Sequence, residues 1–121
     1  MAFELTPHRL VAMYDLCRAM LPKSWRLPVS DHVEFRTPAR TDVCGKWHNG
    51  DPHVIIVSSA LIRNKSYREA LCSLLHEICH SVEEIAGKPV GHGAGFRRRV
   101  RVSADIFGFA EKEIFDEKRD I

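Results

Sequence analysis

HEICHSVEEIAGKPVGHGAGF, residues 76–96, places two histidines four apart with a glutamate directly after the first, and a third histidine inside a glycine-rich segment. At about 100° per residue, His76 and His80 stand roughly 40° apart on one helix face, one turn from each other. Leu71, Leu74, Leu75, Ile78, Val82 and Ile85 form an apolar stripe centred on nearly the opposite side of that helix. Both imidazoles therefore project the same way, outside the main stripe, as two ligands of a tetrahedral zinc ion would. Glu77 sits about 100° round from His76, placed to reach a water in the metal's open position rather than the metal itself. A carboxylate there takes a proton from that water and returns it to a leaving amine. A hydrolytic zinc site needs a third protein ligand, and His92 is the candidate, because the flanking glycines let the chain turn back over the helix. The competing expectation is a solvated helix with surface histidines. Three imidazoles point to one zinc ion, although manganese, cobalt and nickel accept the same donors.

Working outward, the helix carrying this motif is expected over residues 66–86, opened by a capping box of Ser66 and Glu69 and ended by Gly87 and Pro89. Residues 5–21 read as another helix, with Thr6 as N-cap and Pro7 in the first helical position. Val33 and Phe35 alternate with Glu34 and Arg36 in a strand that ends near Pro38. Residues 41–48 form a candidate second strand. After the turn signal Asn49-Gly50-Asp51, HVIIVSS, residues 53–59, reads as a third, so that 42–59 is a hairpin. A last helix is expected over 94–118, with Phe96, Val100, Ala104, Phe107 and Ile114 on one face. The order helix, three strands, helix, helix is that of an α+β domain spanning 1–121.

The 121 residues suit one domain, and 45% hydrophobic residues suffice for a core without disulfides. A net charge of +2 does not by itself argue for nucleic acid. No apolar run reaches the length of a membrane span, and the N-terminal residues lack the features of a signal peptide. Cys17, Cys44, Cys72 and Cys79 form no CxxC pair and read as reduced, buried thiols, so a cytoplasmic protein is expected.

HEICH on a long helix followed by HGAGF opening the next resembles the SprT-like metalloprotease domain, the family of bacterial SprT proteins and eukaryotic Spartan proteases. CGKWHNGDPHVIIVSSALI, residues 44–62, is similar to the family's segment in which Gly-x-Trp precedes a strand, and ALCSLLHEICH, residues 70–80, to its Leu-Leu-His-Glu helix. The likeness covers about residues 40–105. It implies a minimal zincin fold in which His76, His80 and His92 hold zinc, Glu77 is the catalytic acid and base, and Phe96 packs. It also implies a peptidase acting on protein or peptide, with DNA as a candidate further partner. Many members add a C-terminal zinc ribbon; no CxxC pair occurs in these residues, so no ribbon is expected in them.

Other residues carry two readings each. Residues His53, Val54, Ile55, Ile56 and Val57 are a candidate cradle for an extended substrate, which a zincin pairs to an edge strand, or an ordinary core strand. Arg97, Arg98 and Arg99 lie in the first turns of a helix, where basic groups oppose the macrodipole. They are candidates for DNA or oxyanion contact, or a solvated face compensated by Glu83 or Glu84. His48 and His53 flank the hairpin turn as substrate contacts or exposed loop residues, and Trp47 is core or cleft wall. Cys79 is a fourth candidate ligand. A second class of function, a zinc-stabilised binding or regulatory module without turnover, uses the same histidines.

Overall fold

A computed structural model describes residues 3–39, 45–62, 66–88 and 91–116. Helix α1, Pro7–Met20, begins as expected: Thr6 accepts a hydrogen bond from the Arg9 amide at 3.2 Å. It buries Leu10, Met13, Tyr14 and Cys17 on one face. Tyr14 donates to the Pro28 carbonyl at 2.6 Å, and Arg18 donates to Leu27, which ties the following connection to the helix.

Three short strands follow: β1 Val33–Arg36, β2 Gly45–His48 and β3 His53–Val57. The sheet order is β1-β3-β2, with β1 parallel and β2 antiparallel to β3. The expected hairpin is therefore present as β2 and β3, with Trp47 opposite Ile55; residues 41–44, including Cys44, lie outside the described ones. Phe35, Trp47 and Ile55 share the inner face, where Phe35 meets Tyr14 of α1 edge to face at 5.3 Å. Exposed Glu34, Arg36, Lys46 and His48 alternate with them on the outer face. The third strand ends two residues earlier than expected, and Ser59–Ile62 forms a single helical turn, α2.

Helix α3, Tyr67–Ile85, is the centre of the molecule. Ser66 caps it by accepting from the Glu69 amide at 3.2 Å. Every residue from Ala70 through Val82 is buried, so this helix is not merely striped. It packs against β2, β3 and α1, and also against α4, Ala94–Phe107, and α5, Glu111–Phe115.

The expected single helix over 94–118 is two helices. Gly108 adopts the left-handed conformation, φ 75°, and its amide bonds back to Ala104, which stops α4. The apolar spacing continues past the break, which is why periodicity alone joined the two. Residues 117 and 118 lie outside the described ones. Ile114, now on α5, is still fully buried in the core. Among the described residues no helix is long and apolar enough to cross a membrane.

Candidate metal centre

Helix α3 supplies His76 and His80 one turn apart, and the loop after it supplies His92. Gly87 and Gly91 both adopt positive φ, and the chain turns back to place His92 just ahead of α4. One ligand atom from each of the three imidazoles lies within 4.8 Å of the others. Their ring centroids are 4.9 Å (His76–His80), 5.3 Å (His76–His92) and 4.9 Å (His80–His92) apart. His76 is 0% and His80 5% exposed, which excludes a solvated helix with surface histidines.

The cluster fits a metal ion. Zinc–nitrogen bonds of about 2.0–2.1 Å place tetrahedral ligand atoms about 3.3 Å apart, which three donors gathered within 4.8 Å of one another can approach. The protonation is also right. His76 Nδ1 lies 2.7 Å from the Ile114 carbonyl oxygen. A carbonyl only accepts, so Nδ1 carries the hydrogen and the Nε2 lone pair is left for a metal. The identity of the ion does not follow from the geometry.

Phe96 organises the three rings. Its ring is stacked on His80 at 4.4 Å and contacts His76 at 5.0 Å and His92 at 4.8 Å. Phe115 of α5 closes over His92 and Phe96, 5.7 Å from each. An apolar wall of this kind limits solvent access and lowers the local dielectric.

Glu77 is 1% exposed. Its carboxylate rests against the first residue of β2: a Cβ added to Gly45 would stand 2.9 Å from Glu77 Oε2 and 2.9 Å from the Ile56 carbonyl oxygen. Glycine at this position therefore leaves the space the carboxylate occupies.

Other expectations fare differently. The strand His53–Val57 is central, with β1 on one side and β2 on the other. Its backbone is committed to the sheet, and Ile55 and Val57 are fully buried, so it is not an edge on which a peptide can be laid. The edge beside α3 is β2. Strand order is a long-range property, and the strand's β-branched composition was equally compatible with either position.

The arginines separate around α4. Arg97 lies over the Phe115 ring at 4.9 Å and donates to the His92 carbonyl at 3.4 Å, on the rim of the centre. Arg99 turns the other way, over Trp25 at 5.4 Å and toward Glu83 at 3.4 Å, one of the expected compensating carboxylates. Arg98 is exposed. Cys79 lies 3.6 Å from Ser103 Oγ in the core, burial pushes its thiol up from 9.0 to about 12, and it does not belong to the three-histidine group. His48 is exposed, and His53 stacks on Trp47 at 5.1 Å. Neither belongs to the three-histidine group.

The participation of α5 was not legible in the sequence. Ile114 acts through a backbone carbonyl, which no residue type announces. No model of a known protein family matches the chain, and no curated protein does.

Proposed function

We propose that this protein is a zinc-dependent endopeptidase of SprT-like, minimal zincin type. The observation that carries the reading is the cluster of His76, His80 and half-buried His92, with ligand atoms within 4.8 Å, together with the buried carboxylate of Glu77 next to His76 in the same helix. A purely structural metal site has no use for that carboxylate, and an ionised carboxylate is costly to bury unless a cation or hydrogen bonds offset the cost.

His76, His80 and His92 would hold zinc, which when bound would supply Lewis acidity toward a scissile carbonyl and lower the pKa of a water. Glu77 accepts the proton from the attacking water at its carboxylate and returns it to the amine as the peptide bond breaks. His76 stays in its ligand tautomer because Ile114 accepts its Nδ1 hydrogen. Phe96 and Phe115 hold the rings and keep bulk water from one side. An extended peptide adds to β2, the edge strand beside α3, through main-chain hydrogen bonds. Its substrate is protein or peptide, and Arg97, which donates to the His92 carbonyl, is our candidate for contact with a developing oxyanion.

The test is cleavage of an unfolded protein by the zinc-loaded chain and by Glu77→Gln. The reading expects zinc to remain bound in the variant and cleavage to fall by about 10²–10⁴-fold. Equal cleavage by the two proteins would remove Glu77 from the reaction. Zinc uptake with no cleavage by wild type would leave a binding module without turnover.

A further inference from the structure

We propose that α5 is a working part of the metal centre, positioning His76 through the Ile114 carbonyl so that docking of α5 and binding of the metal are coupled. The proposal rests on the metal-binding reading of the three histidines and not on peptide hydrolysis.

A neutral imidazole carries one hydrogen, on either nitrogen. The 2.7 Å contact to Ile114 fixes it on Nδ1 and delivers Nε2 as a donor before any metal arrives. That contact selects the Nδ1 tautomer; a hydrogen on Nε2 instead would block ligation. The carbonyl that prevents this belongs to a five-residue helix, Glu111–Phe115, which is too short to persist without tertiary support.

The support comes from the site itself and its margin. The Ile114 side chain is fully buried. Phe115 packs 5.7 Å from the His92 ring, so one short helix holds a ligand from α3 by a hydrogen bond and the loop ligand by a ring contact. At its outer side, Arg68 at the start of α3 grips both oxygens of Glu113, at 3.0 and 2.9 Å, and lies over Phe109 at 4.4 Å. Helix α5 thus clips together two parts of the site that the chain delivers separately. If docking favours metal binding, metal binding favours docking by the same factor.

The experiment measures zinc affinity of the full chain by competition with a chromophoric chelator. Wild type is compared with Ile114→Ala, which loosens α5 without touching a ligand, and with Leu10→Ala, which opens a similar hole in α1. Ile114→Ala is expected to bind zinc about 10–100-fold more weakly. Leu10→Ala is expected to stay within about twofold of wild type. Should Ile114→Ala fail to fold, wild type alone suffices. Zinc is expected to slow hydrogen exchange of the amides of 111–115, and ¹⁵N spectra of the metal-free protein are expected to show His76 protonated on Nδ1. Zinc affinity equal in all three proteins overturns the coupling, as does an Nε2-protonated His76 or exchange in α5 that ignores zinc; each leaves the metal site standing. Wild type that takes up no zinc overturns the metal site and the coupling together.

Discussion

On α3, His76 and His80 meet because they are one helical turn apart; across the centre, His76 meets Ile114 over thirty-eight residues of chain. The first contact follows from local geometry and survives wherever the helix forms. The second exists only when Gly108 stops α4, α5 turns back and Ile114 seats in the core. His76 and His80 stand on the buried stretch of α3, Ala70 through Val82, and His92 on the loop that follows. The group that fixes the protonation of one of them is held by five residues and their packing. The chemistry is thus written locally, while its adjustment depends on tertiary structure.

Substitutions that strike the α3 side break that comparison most strongly. Glu77→Gln is expected to cost about 10²–10⁴ in kcat/KM with zinc content unchanged, measured on an unfolded protein substrate. On the α5 side, Ile114→Ala removes buried methyl groups and is expected to cost about 2–5 kcal/mol of stability in denaturant melts. Gly45→Ala forces a methyl group between the Glu77 carboxylate and the Ile56 carbonyl. Overpacking of this kind costs about 1–3 kcal/mol, and here it is expected to lower kcat while zinc stays bound. A mutant with wild-type kcat would show that Glu77 does not need that space.

Buried thiols on α1 and α3 also carry a pH dependence. Burial pushes the Cys17 and Cys79 thiols from 9.0 up to about 12. The folded state thus keeps protons that the unfolded chain releases first. Their contribution to stability is complete below pH 9.0 and is lost as the pH rises from there toward about 12. Melts between pH 8 and 11 should show the midpoint falling, and at pH 8 neither thiol should react with iodoacetamide in the folded protein. Rapid alkylation of Cys79 would place it in solvent, against the packing on Ser103. The smallest effect is expected from Arg68→Ala, whose ion pair with Glu113 is half exposed. It should shift the melting midpoint less than any of the above and register mainly as faster exchange in α5.

How much of this could be read from the residues follows the same division. Ser66 as a cap, the histidines at i and i+4 and the turn at Asn49-Gly50-Asp51 are short-range signals, and each element they mark is present. The α+β class followed from their order. The centrality of His53–Val57 was hidden because its second neighbour, β1, lies about twenty residues upstream and pairs in parallel. Gly108 was overlooked because the apolar spacing runs on to Ile114 as if one helix continued. His92 was legible as the third member of the histidine group through its glycines, but the aromatic wall of Phe96 and Phe115 against it was legible only in part, since Phe115 arrives from beyond the break.

X-ray absorption at the zinc edge of the zinc-loaded protein tests the central claim most directly. The account predicts three imidazole nitrogens and one further oxygen at about 2.0–2.1 Å, a centre with one position left for chemistry. A sulfur at about 2.3 Å, or four imidazoles, would describe a closed structural site and contradict it.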